Sequence, residues 1–177
     1  MNFTLTPFSA HDSPQITIGG AVHRKKSIFT VSYAVAGNIE EISFPFPTAN
    51  PIRKDGLWRT TCFEFFLAVT DSPHYWEFNL SPSGAWNVYV MDAYRQVNMR
   101  EETRIQQLEF NFKKEAECFS LETELDLSPI IAEESLIEAG ITSVIQANNR
   151  KESYWALTHP QIEADFHLRN SFILEFT

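Results

Sequence analysis

The sequence predicts an all-β fold, an antiparallel β-sandwich of nine to ten short strands. Three observations carry this. Apolar residues recur with a period of two along most of the structured runs. Gly/Pro/Ser/Asn/Asp-containing turns separate those runs. Most runs are polar on their second face, as in antiparallel sheets with one face turned to water. At 177 residues with 44% apolar content, the chain has the length of one domain, spanning residues 1–177, and enough apolar surface for a core.

In chain order, Gln15–His23 alternates weakly. Arg24-Lys25-Lys26 then reads as a solvated hairpin tip before Ile28–Val35, where Phe29, Val31, Tyr33 and Val35 share a face. Cys62–Val69 places Phe63, Phe65, Leu67 and Val69 on one side and Cys62, Glu64, Phe66 and Ala68 on the other. Tyr75–Leu80 sets Trp76, Phe78 and Leu80 against Tyr75, Glu77 and Asn79, and Ser81-Pro82-Ser83-Gly84 ends it with turn chemistry. Ala85–Val90 resumes a strand pattern, and the charged, aperiodic Arg95–Arg104 reads as a loop. Leu108, Phe110 and Phe112 alternate with Glu109, Asn111 and Lys113; Phe119–Leu127 alternates in the same way. Next, Ser128 and Pro129 supply an N-cap and a first-turn proline, apolar residues follow, and Gly140 stands where a C-cap belongs. This predicts one short capping helix over Pro129–Ala139. Ile141–Ala147, Tyr154–Leu157 and Phe172–Phe176 complete the strands.

Composition excludes several classes of function. Twenty-three acidic against fourteen basic residues give a formal charge of −9, without the basic stripe that nucleic-acid binding requires. Cys62 and Cys118 cannot form a disulfide framework and lie in no zinc-type spacing. No apolar run is long enough to span a membrane. Met1–Ala10 lacks the basic and apolar regions of a secretory leader, so a cytoplasmic location is expected. The nucleotide-binding, zinc-protease and serine-hydrolase motifs are missing.

What remains is set by strand alternation. Glu64, Glu77 and Asn79 fall on non-core faces, and Gln146 and Asn148 share a face after the predicted helix. Trp58, Trp86 and Trp155 lie in or beside these strands. Carboxylates and amides that meet vicinal hydroxyls, with aromatic rings that stack on C–H faces, make a sugar-binding kit. A solvated sheet face over core tryptophans is the other reading of the same pattern. Glu64 and Glu77 also admit a glycosidase carboxylate pair. His159, Asp165 and His167 form either a metal corner or a hydrogen-bonded loop cluster.

Leu57-Trp58-Arg59-Thr60-Thr61-Cys62-Phe63-Glu64 resembles the entry motif of bacterial DOMON-like proteins related to family 9 carbohydrate-binding modules. Glu77–Trp86 (EFNLSPSGAW), Tyr94-Arg95, Tyr154–Pro160 (YWALTHP) and Asp165-Phe166-His167 extend the resemblance over Arg53 to Phe176. The resemblance implies a β-sandwich that holds a sugar between two rings. Trp58, six residues before Glu64, matches the first wall. Gln146 and Asn148 match a late-strand amide pair. Phe166, followed by His167, stands where the modules place their second tryptophan. Thr60 to Phe63 replace the modules' aspartates, so calcium is not expected. Other DOMON domains hold haem through Met and His, for which Met91, Met99 and His167 are the candidates here.

The sequence thus points to a non-catalytic module for a carbohydrate or similar polyhydroxylated small molecule, with no required cofactor. Trp58 and Phe166 are expected as walls. Glu64, Gln146, Asn148 and His167 are expected at the ligand, with Arg53, Glu77 and Asn79 at the patch edge. The alternatives are a haem-binding redox domain, a protein-interaction scaffold and a glycoside hydrolase using Glu64 and Glu77.

Overall fold

The computed structural model describes residues 1–48, 52–95 and 99–177. Among them run twelve strands: β1 (Asn2–Pro7), β2 (Ile16–Lys25), β3 (Ile28–Gly37), β4 (Cys62–Val69), β5 (Tyr75–Leu80), β6 (Trp86–Met91), β7 (Arg100–Glu101), β8 (Phe110–Lys114), β9 (Cys118–Asp126), β10 (Ile137–Gln146), β11 (Glu152–Ala156) and β12 (Leu174–Phe176). All their ladders are antiparallel. One curled sheet results, in the order β7-β6-β5-β4-β10-β11-β1-β2-β3-β9-β8, with β12 on the edge of β10. The curl turns through β1, whose Asn2–Leu5 pair with β2 while Thr6 and Pro7 pair with β11. Its two halves pack face to face, so the predicted sandwich is correct.

The alternating residues of both halves build the core. Phe63 stacks on Phe119 at 5.2 Å, Phe65 on Phe78 at 4.4 Å, and Phe29 lies 5.7 Å from Phe65. Buried Tyr33 donates its hydroxyl to the Glu64 carbonyl at 2.6 Å, which satisfies the one polar atom it carries into the core. Gly20 is required where β2 meets β3, because a Cβ there would lie 1.8 Å from the Ser32 carbonyl oxygen.

Several sequence expectations need correction. Residues 128–136 form no helix. Ile130 and Ile131 N–H both donate to the Leu127 carbonyl, making a single turn, and the chain then enters β10. The carbonyls that a helix would use are taken by Arg24, which donates to those of Ala132, Glu133 and Ser135. Arg24 is therefore only 7% exposed rather than a solvated tip residue. Gly140 serves packing instead of a cap: its Cβ would sit 2.8 Å from the Phe172 ring.

The last correction bears on function. β4, β5 and β6 are buried on both faces, apart from the end of β4 at Val69. Their outer residues include Phe66, Tyr75, Tyr89 and Met91, a second apolar cluster that Phe172 completes and Trp58 and Phe166 flank. The segments before β4 and before β12 fold over a face that the alternation alone had left to solvent. Of the predicted Arg95–Arg104 loop, residues 96–98 lie outside the described residues, and Arg100–Glu101 pair with β6.

Candidate functional site

Antiparallel register brings the polar residues of the outer face together. Glu64 on β4 lies opposite Asn79 on β5 and Thr142 on β10, and Glu77 lies opposite Phe66 and Tyr89. Glu64 and Glu77 are thus diagonal neighbours on one sheet face, a separation long side chains bridge. Above them opens a cleft of about 330 Å³, at the small end of the range for small-molecule sites. Trp58, Phe66, Tyr154 and Phe166 supply aromatic lining, and Glu64, Glu77 and His167 supply polar lining.

Each wall has a local cause. Gly56 adopts φ +70°, a left-handed turn that opens the single 3-10 turn Leu57–Arg59. That turn presents Trp58 edge-on to Tyr89, with ring centroids 5.6 Å apart. Tyr89 is fixed in turn by donating to the Asp55 carboxylate at 2.6 Å. Gln146 donates to the Arg59 carbonyl at 3.3 Å and steadies the same turn. Phe166 meets Tyr154 edge-on at 6.0 Å. Its loop is tied down by Asp165, which accepts from Tyr94 Oη at 2.6 Å and from the His167 N–H at 3.0 Å, and pairs with Arg95 at 3.0 Å. Burial works to raise Asp165, but these bonds outweigh it and hold the carboxyl below its usual range.

The floor is electrostatically unusual. Glu64 is 2% exposed; its Oε2 meets Thr142 Oγ1 at 3.4 Å. Its Oε1 is, among the described residues, the buried side-chain oxygen left without a partner. Burial pushes this carboxyl well above the usual range, and the neighbouring Glu77 charge pushes the same way. Glu77, 5% exposed, accepts from Asn79 Nδ2 at 2.8 Å and is raised by burial to about 7. His167 lies 3.9 Å from Glu77 Oε2 through Nε2 and 3.0 Å from Tyr75 Oη through Nδ1. Burial lowers His167 and raises Tyr75 to about 12. A neutral imidazole that accepts the Tyr75 proton at Nδ1 carries its own hydrogen on Nε2, facing Glu77.

The sequence-predicted residues therefore divide. Trp58, Glu64, Glu77, Phe166 and His167 meet in the cleft. Asn79 lies beneath it, positioning Glu77, and Gln146 acts through the Trp58 turn. Asn148 is elsewhere, donating to the Glu40 carbonyl at 2.7 Å. Arg53 sits over the Trp86 ring at 4.3 Å and donates to Asn87 Oδ1 and to the Glu102 and Ile105 carbonyls, so it clamps loops together. His159 bonds the Thr6 carbonyl, away from Asp165 and His167. No group of three or more metal-ligating side chains occurs among the described residues. Of the haem candidates, Met99 and His167 line the cleft, whereas Met91 is packed in the apolar layer. Sequence reasoning did not single out Tyr154, Phe66 or Arg95 as lining residues. Phe66 was legible, because it shares the face of Glu64.

No family model and no curated protein matches the chain. Solved structures do match its fold. A proposed carbohydrate-binding protein from Bacteroides uniformis superposes with TM-score 0.74 at 9% identity, over 97% of this chain and 83% of that one. A family 9 carbohydrate-binding module from Caldicellulosiruptor kristjanssonii, in complex with glucose, superposes with TM-score 0.52 at 10% identity, over 82% and 68%.

Proposed function

We propose that this protein is a non-catalytic binding module for a carbohydrate or similar polyhydroxylated small molecule, held in the cleft above Glu64 and Glu77. The observation that carries the reading is Glu64 itself, a carboxyl buried in the floor of an aromatic-walled cleft with one oxygen unpartnered. An unsatisfied buried polar atom costs roughly 1–3 kcal/mol, and a ligand donor reaching Oε1 would recover part of it. Vicinal hydroxyls provide such donors, and Trp58 and Phe166 offer faces for the ring above them.

The likeness in fold to a glucose-bound module and the Trp58-to-Glu64 spacing support the carbohydrate class. Binding without catalysis is supported by the same likeness in fold, since both neighbours are described as carbohydrate binders. Titration calorimetry with glucose, other hexoses and cello-oligosaccharides tests the reading. Saturable binding that is lost in Trp58→Ala and weakened in Glu64→Gln is expected. Equal binding by wild type and both variants would remove the site. Turnover of a chromogenic glycoside, abolished in Glu77→Gln, would replace binding with hydrolysis.

A further inference from the structure

We infer that the ligand of this cleft carries a protonated amine, as an amino sugar does: a hydroxylated ring bearing an ammonium group. This rests on the carbohydrate-binding reading and narrows it. Glu64 lines the floor of the cleft with its side chain almost fully shielded, and its buried Oε1 has no hydrogen-bond partner. Glu77 adds a second carboxyl on the same floor. Both are acceptors when ionised, and an ammonium is a pure donor with three N–H bonds, a closer match than a hydroxyl that also presents lone pairs.

The walls agree with the floor. Trp58, Phe66, Tyr154 and Phe166 line the same cleft, and the faces of such rings attract cations, most strongly where water is excluded. The remaining charged and titratable groups do not supply a resident cation. Arg95 is engaged by Asp165. Glu152 accepts from Tyr154 Oη at 3.0 Å. Arg59 is exposed at the rim, His167 is held toward its neutral form, and Tyr75 and Cys62 keep their protons. The cleft therefore offers buried acidity without an internal counter-charge, within a chain of net charge −9.

The proton balance is specific. In the empty cleft burial and the neighbouring Glu77 charge favour the protonated form of Glu64. An ammonium arriving within hydrogen-bond reach favours the carboxylate. The amine enters protonated, the carboxyl proton that it displaces passes to the buffer, and binding releases protons.

The full chain would be titrated with three matched pairs: glucosamine and glucose, galactosamine and galactose, mannosamine and mannose. Calorimetry in phosphate and in Tris reads proton release as a difference in apparent enthalpy. At least one amino sugar is expected to bind about tenfold or more tightly than its parent hexose, about 1.4 kcal/mol, with proton release. Glu64→Gln, checked for folding by circular dichroism, should abolish both preference and release; Glu77→Gln serves as a second variant. Parent hexoses that bind as tightly as their amino sugars would overturn the amine and leave the carbohydrate reading standing. A preference unchanged in both folded variants would also overturn it. Binding of none of the six would overturn the amine, and failure of the cello-oligosaccharides as well would overturn both readings.

Discussion

Replacing Glu77 by glutamine should remove a pH dependence from the stability of the whole domain. Burial disfavours the charged form of Glu77 and pushes it up to about 7 in the fold, from an ordinary carboxylate value of 4.5. A raised carboxyl means that the folded state binds the proton more tightly than the unfolded state. The relative stabilisation is complete below pH 4.5 and is lost as pH rises to about 7. At about 1.4 kcal/mol per tenfold change in proton affinity, the full loss is on the order of 3 kcal/mol, of which about 2 falls between pH 5.5 and 8. Burial raises Glu64 as well, and that burial is common to wild type and variant. His167 runs oppositely: its lowered value costs stability as pH falls below 6.5. That contribution is largely common to both proteins.

Glutamine preserves the acceptor for Asn79 Nδ2, so the variant retains the local hydrogen bond. Urea denaturation of wild type and Glu77→Gln at pH 5.5 and 8 reads the difference. With a slope of ~2 kcal/mol per molar for a domain of this size, the wild-type midpoint should fall by about 1 M more than that of the variant. Equal midpoint shifts in the two proteins, or a wild type more stabilised at pH 8 than the variant, would mean that burial does not control Glu77.

Gly20→Ala should prevent stable folding, since its Cβ would meet the Ser32 carbonyl oxygen at 1.8 Å; soluble expression with a native thermal transition would contradict this. Gly140→Ala is milder. Its Cβ would press on Phe172 rather than on backbone, and an overpacking cost of about 1–3 kcal/mol is expected from denaturation. Glu102→Ala leaves the buried Trp76 Nε1–H without the acceptor it has at 3.0 Å, so a loss of roughly 1–3 kcal/mol is expected. Asp165→Asn should loosen the Phe166 wall by weakening the Tyr94 and Arg95 ties. Calorimetry should show weaker ligand binding while the urea midpoint changes little.

Period-two alternation made most of the fold legible, because in a sandwich each strand's inner face is written directly into its own residues. β1 was legible in principle: Asn2–Pro7 alternates with Phe3 and Leu5 buried, but its short pattern also suits a terminal segment. The misread helix shows the limit of local signals. Ser128-Pro129 and Gly140 have the local chemistry of helix ends. What decides the segment is Arg24, more than a hundred residues away, together with the Phe172 ring. The site was half legible for the same reason. Glu64 and Glu77 follow from strand alternation. The order of strands, which sets Asn148 apart, and the loop that brings Asp165 to Tyr94 and Arg95 depend on contacts with no period in the sequence.

In the proposed function, the ligand occupies the cleft over the outer faces of β4 and β5. Nuclear magnetic resonance of isotope-labelled protein titrated with the tightest-binding sugar tests it most directly. The largest shifts should fall on Trp58, Glu64, Phe66, Glu77 and His167, with the Glu64 side-chain carboxyl carbon among them. Shifts centred instead on the groove beside Thr6, Gln15 and Trp155, with the Glu64 carboxyl unmoved, would contradict it.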